Sequence, residues 1–173
     1  MFTPRLMLAC FLLACFSSFA RGETPHWGKE IPEAALSVWD LTVFPDGTGL
    51  PEGSGIPEKG YLLYSQKCES CHGPKGQGRS AEELAGGVGS LTSESPAKTV
   101  GSYWPTAPGV FEYIRRAMPM DAPLSLTSDE VYAITAYLLY LSKVIGPEDE
   151  MNKTTLPGVV MPNRDGFVWI DAD

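Results

Sequence analysis

The chain has 173 residues, of which 43% are hydrophobic, and a formal net charge of −8 at neutral pH. This length is enough for one domain with a modest core. An acidic chain is a poor ligand for nucleic acid, because neutralising phosphates requires clustered lysine and arginine. The acidity instead fits either plain solubility or an encounter with basic partners.

The first 20 residues have the composition of an export signal. A short start with Arg5 is followed by an apolar run and by the small-x-small end Ser18-Phe19-Ala20. The pattern predicts a signal peptide over residues 1–20 and a periplasmic mature protein. The run is shorter than the roughly 20 apolar residues that a membrane span needs, so no span is expected. The stretch ending at Cys15 also resembles a lipoprotein cleavage site. A lipid anchor at Cys15 and a retained N-terminal anchor are therefore the two alternatives to cleavage after residue 20.

Residues 21–55 are rich in proline and glycine, as in "FPDGTGLPEGSGIP". At this density neither a helix nor a central strand is expected, so the segment is predicted to be an extended arm. Its apolar residues Trp39, Val43 and Phe44 are candidates for attaching the arm to the rest of the protein.

Two helices and a long loop are predicted after the arm. The first helix runs from Glu58 into the sequence "CESCH", with Gly60 near its start. Residues 73–107 contain seven glycines and form a loop, with one helical turn around residues 80–84. A loop of this length is uncommon in a compact domain unless it wraps around something. A short helix over residues 109–117 then ends before Pro119.

The last helix has the clearest boundaries in the sequence. Thr127 followed by Glu130 makes a capping box, and Gly146-Pro147 is the predicted stop. Beyond it lies an acidic, proline-broken tail, in which Phe167 and Trp169 are expected to pin the segment to the domain.

The stretch "CESCH" carries the strongest chemical signal. Two of the four cysteines fall in the export signal, which leaves Cys68 and Cys71. A disulfide between them would close a very small loop and stabilise little. The C-x-x-C-H pattern is instead typical of covalent haem attachment, in which two thiols add to the haem vinyl groups and the imidazole of His72 binds the iron.

Two other uses of the cysteine pair are less well supported. A thioredoxin-like pair needs a helix that begins at the first cysteine, whereas here a helix runs into the motif. A zinc site needs a further ligand, and the only other histidine is His26, in the arm. With a haem present, the long glycine-rich loop gains a core to wrap around.

The loop "RRAMPMDAP" offers thioethers for the sixth coordination position of the iron. Histidine–methionine ligation fills both axial positions and raises the reduction potential, which suits electron transfer. From the residues alone, either Met118 or Met120 could bind the iron.

The same residues resemble those of class I c-type cytochromes. The family pattern is a glycine, an aromatic residue four positions later and then C-x-x-C-H-G, and it is matched by Gly60, Tyr64, Cys68, Cys71, His72 and Gly73. "AMP" resembles the family's methionine–proline ligand loop, and Tyr137 resembles the aromatic residue of the family's last helix, which packs on the first helix near the glycine. The resemblance implies an all-α class I cytochrome c fold, with three to four helices around one covalently bound haem c. It places the cytochrome domain over residues 56–145 and the C-terminal tail over 146–173. It also implies Met118 as the iron ligand, with Met120 as the alternative.

A narrower resemblance extends over most of the chain. "VWDLTVFPDGTGLPEGSG", "KTVGSYWP" and "MPNRDGFV" are similar to the cytochrome subunits of sulfane dehydrogenases and sulfite:cytochrome c oxidoreductases. It implies a non-catalytic subunit that takes electrons from a molybdenum subunit and passes them to a downstream c-type cytochrome or oxidase. The sulfane dehydrogenase subunit is typically larger and has two haems, whereas this chain has one C-x-x-C-H, so the enzyme it serves stays open. A haem enzyme resembling thiosulfate dehydrogenase and a free electron carrier are the alternatives.

Two aromatic residues and two arginines are further candidates for contact with the haem. Tyr103 and Trp104 could bond a haem propionate or pack in the core, since a buried Tyr or Trp needs a partner for its polar atom. Arg115 and its neighbour Arg116 could face a propionate, meet an acidic partner or lie on a solvated helix face.

Overall fold

The computed structural model describes residues 27–36 and 39–168. The chain divides into two units, residues 1–36 and 37–173. The described part of the first unit contains helix α1, Glu33–Leu36. The prediction that the arm holds no helix is therefore wrong here, because "EAAL" contains neither glycine nor proline. The expected signal peptide, Cys15 and His26 lie outside the described residues.

The regular structure of the second unit's described residues is mainly helical, which confirms the predicted all-α architecture. The helices are α2 (Pro57–Lys67), α3 (Glu69–His72), α4 (Ala107–Ala117) and α5 (Ser128–Leu141), with 3-10 turns at Ser90–Thr92 and Leu156–Gly158. Two short strands, β1 (Ser54–Gly55) and β2 (Met151–Asn152), pair antiparallel, with Ser54 opposite Asn152. None of the helices in the described ranges is long and apolar enough to cross a membrane.

Helices α2 and α5 cross at Gly60. A β-carbon at this position would overlap the backbone carbonyl of Ala133, so only glycine allows the approach. Tyr137 packs over the crossing, with its ring centroid 5.6 Å from that of Tyr61 and 5.2 Å from that of Tyr64. The expected contact between the glycine and the aromatic residue of the last helix is confirmed.

Helix α5 begins as predicted and ends earlier than predicted. The Thr127 side chain accepts a hydrogen bond from the Glu130 backbone, and the Glu130 carboxylate accepts one from the Thr127 N–H, which completes the capping box. The helix ends at Leu141, and Lys143 follows with a left-handed φ of 59°. The chain has therefore left the helix before it reaches the expected stop at Gly146.

The loop between α3 and α4 is irregular. Residues 80–84 do not form the expected helical turn, and the 3-10 turn of the loop lies at Ser90–Thr92 instead. The segment folds back on the cysteine motif, because Ala81 N donates to Cys71 O at 3.0 Å and Gly78 N donates to His72 O at 2.8 Å. In this segment, hydrogen bonds to the motif replace those that a helical turn would make.

Parts of the arm and the tail belong to the same hydrophobic core as the helices. Val43 is buried, whereas Trp39 and Phe44 are 77% and 52% exposed, so of these three residues Val43 alone enters the core. The buried residues of the tail are Met151, Leu156 and Met161. Phe167 packs edge-on against Tyr103 at 5.4 Å, which confirms that it pins the tail, while Trp169 lies outside the described residues.

Candidate functional site

The cysteine motif lies on a single helical turn. Helix α2 ends at Lys67, and Cys68 leaves helical geometry (φ −122°, ψ −35°) before α3 resumes the turn. Cys68 O accepts hydrogen bonds from the N–H groups of Cys71 and His72, at 3.1 and 2.9 Å. Residues three and four positions apart on a helix lie on one face. These main-chain bonds hold the two cysteines and the histidine within one turn, as covalent haem attachment requires.

The two thiols are free, and burial of the first disfavours its thiolate form. Cys68 and Cys71 are both free, the first half-buried and the second exposed. Burial raises the pKa of Cys68 to about 11, although the charge of Lys67 opposes the rise. A redox-active cysteine reacts as a thiolate, which the raised pKa of Cys68 disfavours. Within residues 27–36 and 39–168, no three His, Cys, Asp or Glu side chains are grouped to hold a metal ion.

The ring of His72 is oriented by a backbone carbonyl. Its Nδ1 lies 2.7 Å from the Glu82 carbonyl oxygen, and a carbonyl can only accept. Nδ1 therefore carries the proton, and the lone pair of Nε2 is left free for a metal. This tautomer fits an axial iron ligand. The Glu82 contact could not be found from the sequence, because any residue can present a backbone carbonyl.

A buried tyrosine fixes the residue that follows the histidine. Tyr64 is fully buried, and its hydroxyl donates to Gly73 O at 2.7 Å. Burial raises the pKa of this phenol, so it remains a donor. Gly73 has a φ of 79°, a left-handed value that favours glycine. The glycine and the aromatic residue of the family pattern thus meet beside the motif.

The structure separates the two candidate methionines. Helix α4 ends at Ala117, and Met118 is extended (φ −121°, ψ 148°), with its N–H bonded to Ile114 O at 3.0 Å. Met118 is half-buried and packs against the hydrophobic core, as Cys68 and Trp104 also do. Met120 is 81% exposed. Met118 is therefore the methionine that the fold directs inward.

Tyr103 and Trp104 have contacts that ordinary packing explains. The Lys98 ammonium lies 5.4 Å above the Tyr103 ring, and the Tyr103 carbonyl accepts from Asn163 Nδ2 at 2.7 Å. Trp104 packs on the core and on Tyr113, with the ring centroids 5.6 Å apart. Their expected role as haem contacts stays a prediction.

The two arginines of helix α4 differ in environment. Arg116 pairs with Glu112 one turn earlier, at 2.6 Å, on the exposed side of the helix. Arg115 is half-buried and close to Tyr132. Burial raises the pKa of Tyr132 to about 12, Glu52 adds to this rise, and the Arg115 charge opposes it. Of the two arginines, Arg115 is thus the better placed to contact a buried group.

These residues fit a covalently attached haem. The fold provides two free thiols and an imidazole with a free Nε2 within one turn, and a half-buried thioether at the end of another helix. The loop that follows the motif is irregular, and its backbone forms hydrogen bonds to the motif.

Comparisons with known proteins agree with this chemistry. The family model described as cytochrome c matches residues 57–142. A chain in the crystal structure of the sulfane dehydrogenase SoxCD from Paracoccus pantotrophus is 41% identical, with a TM-score of 0.79. The match covers 86% of this chain and 73% of that one. No curated protein sequence matches significantly.

The comparisons identify the cofactor and the general role. Proteins of the matched family bind haem c covalently and transfer electrons. A single C-x-x-C-H motif in one matched domain corresponds to one haem. The chain belongs to the cytochrome c family.

Proposed function

We propose that this cytochrome is the exported, monohaem subunit of a molybdenum-dependent sulfite or sulfane dehydrogenase. It takes electrons one at a time from the molybdenum subunit and passes them to a downstream c-type cytochrome or oxidase in the periplasm. The observation that carries the proposal is the 41% identity to a chain of a sulfane dehydrogenase structure, over 86% of this chain. Identity at this level over most of the chain includes many residues besides those that hold a haem.

Haem c supplies a one-electron couple, and this chain's residues hold and orient it. Cys68 and Cys71 would form the thioether links, and His72 and Met118 would bind the iron. The Glu82 carbonyl supports the role of His72, because it fixes the protonated nitrogen away from the iron. The inward placement of Met118 supports its role, and the exposure of Met120 counts against the alternative.

Ligation by two side chains favours electron transfer over catalysis at the iron. With His72 and Met118 both bound, the iron would offer a sulfur compound no open coordination site. Each turnover moves one electron into and then out of the cytochrome, and no bond is made or broken. The haem-enzyme alternative requires Met118 to be displaced by substrate.

The axial ligand is tested by replacing each methionine separately in the haem-loaded protein. Met118→Ala should abolish the methionine-to-iron charge-transfer band of the ferric spectrum, whereas the matched control Met120→Ala should keep it. The reverse result would assign the ligand to Met120. Loss of the wild-type band when sulfite or thiosulfate is added would favour a haem enzyme.

The partner is tested by purification from the native cell and by reduction kinetics. The cytochrome should elute with a molybdenum-containing subunit, and the complex should reduce the haem when sulfite or a sulfane substrate is added. Elution as a single chain that no sulfur compound reduces would contradict the subunit role and favour a free carrier.

A further inference from the structure

A tyrosine-rich groove lies where α2 and α5 meet the segment after the motif. Tyr61, Tyr137 and Tyr140 line it, together with Pro74, and this open groove has a volume of about 660 Å³. Tyr61 and Tyr140 are 50% and 41% exposed, whereas Tyr137 is buried behind them. None of the proposed haem-binding residues lines this groove, so it is a separate surface.

Charge at the groove is predominantly negative. The exposed carboxylates of Glu58 and Glu148 line it, against the single ammonium of Lys75. Glu69 lies close enough to act on Tyr137, whose pKa is raised by burial, then by Tyr61 and by this carboxylate. Aromatic faces beside carboxylates suit lysine and arginine, because the rings attract the cation and cover its aliphatic stem. The groove thus complements a basic protein surface.

The groove is joined to the haem motif by continuous contacts. Tyr61 contacts Tyr137 at 5.6 Å between ring centroids, and Tyr137 contacts Tyr64 at 5.2 Å. The Tyr64 hydroxyl donates to Gly73 O at 2.7 Å, and Gly73 follows His72 directly in the chain. A partner seated in the groove would therefore lie at the end of a packed path to the proposed iron ligand.

We propose that the tyrosine-rich groove docks a basic electron-transfer protein, with its lysine or arginine side chains between Tyr61 and Tyr140 and paired with Glu58 and Glu148. The inference rests on the proposed function only in that the chain is a one-electron carrier. In each encounter the cytochrome loses one electron and the partner's redox centre gains it, with no proton or group transferred. A second copy of this acidic chain is a poorer occupant, because it would bring like charges together.

The test uses the haem-loaded protein, reduced chemically, and a lysine-rich soluble c-type cytochrome as the probe. Glu58→Gln combined with Glu148→Gln removes the groove charges, and Glu94→Gln combined with Asp165→Asn removes the same charge from exposed sites outside the groove. Stopped-flow measurements give the second-order rate constant at low and at physiological ionic strength. Zero-length carbodiimide cross-linking with peptide mapping locates the contact independently of electron transfer.

The groove variant should slow the reaction about five-fold or more at low ionic strength, and the control less than about two-fold, since local charge steers association. Cross-links should join Glu58 or Glu148 to lysines of the probe. Equal slowing of both variants, cross-links confined to other carboxylates, or a dimer in sedimentation that the groove variant dissociates would each overturn the proposal. Because the reductant is chemical, failure here is distinct from failure to accept electrons from a sulfur dehydrogenase.

Discussion

The helix crossing and the arm–tail clasp stabilise the same core in different ways. The helix crossing is the contact of α2 with α5, and the arm–tail clasp consists of residues 39–55 and 147–168. The clasp has only two short strands and one 3-10 turn, yet its Leu156 is as fully buried as Tyr64 of the crossing. Both parts of the clasp lie outside the stretch that matches the family model. Segments without regular structure thus contribute to this core as fully as the helices do.

The two regions also differ in what they tolerate. The crossing depends on a backbone approach at Gly60, so it is sensitive to added atoms. The clasp depends on single apolar side chains inserted into the core, with polar contacts such as Tyr132 Oη to Pro51 O at its edge. It is therefore sensitive to atoms that are removed.

The largest expected effect is the loss of an apolar side chain from the clasp. Leu156→Ala should lower the free energy of unfolding by about 2–5 kcal/mol, because it leaves a cavity at a fully buried site. Guanidinium unfolding of the haem-loaded protein measures this. The control Val160→Ala, at a site that is 68% exposed, should change stability by less than about 0.5 kcal/mol. Equal, small effects would show that the clasp is not part of the core.

The next effect tests the crossing by adding a methyl group. Gly60→Ala should cost about 1–3 kcal/mol, because the new atom meets the Ala133 backbone. In the clasp, Gly158→Ala meets nothing within 4 Å and should be neutral or slightly stabilising. Thermal unfolding of both variants is the measurement. A tolerated alanine at position 60 would mean that the helices can separate without loss.

A smaller effect is expected where helix α5 meets the arm. Tyr132→Phe leaves the Pro51 carbonyl without its donor and should cost about 1–2 kcal/mol at neutral pH. The pKa of Tyr132 is about 12 when folded, against an ordinary value of 10.0, chiefly because of burial. The folded chain therefore keeps the phenol proton up to a higher pH than the unfolded chain does. The stability that this difference contributes is complete below pH 10 and is lost as the pH rises towards 12.

The same substitution should alter the alkaline limb of the stability curve. Tyr132→Phe should make the decline between pH 10 and 12 shallower than in the wild type, as followed by guanidinium midpoints. Part of the decline will remain, because burial also raises the pKa values of Tyr64 and Tyr137. An unchanged slope would mean that Tyr132 ionises alike in the folded and unfolded chains.

The sequence predicted the helical part and its chemistry well, because both depend on local patterns. The capping box at Thr127, the glycine at position 60 and the C-x-x-C-H turn are each defined by residues a few positions apart. The predicted end of α5 lies several residues too late in the sequence. The reason is that Lys143 adopts a left-handed conformation, which a lysine does not indicate in a sequence.

The clasp and the support of the histidine could not be predicted in the same way. Met151, Leu156 and Met161 have no helical or strand period, and their burial depends on contacts far along the chain. The Glu82 carbonyl that orients His72 belongs to the backbone, so no side-chain pattern signals it. Proline and glycine in the arm indicated the absence of long helices, but they did not reveal that Val43 enters the core.

The smallest expected effect compares an ion pair in each kind of region. Lys153 and Glu52 join the two halves of the clasp across 101 positions, whereas Arg116 and Glu112 are one turn apart on α4. Lys153 and Glu52 are both exposed, and the helical pair is exposed at Arg116, so screening limits each coupling energy to less than about 1 kcal/mol, with about 0.3–0.5 for the helical pair. Double-mutant cycles with glutamine at each position, run at low and at 1 M salt, measure the two couplings. Both should fall at high salt, since exposed charges are screened within about 3 Å at that ionic strength. A clasp coupling that is large and independent of salt would mean that this pair, and not the buried apolar side chains, holds the arm to the tail.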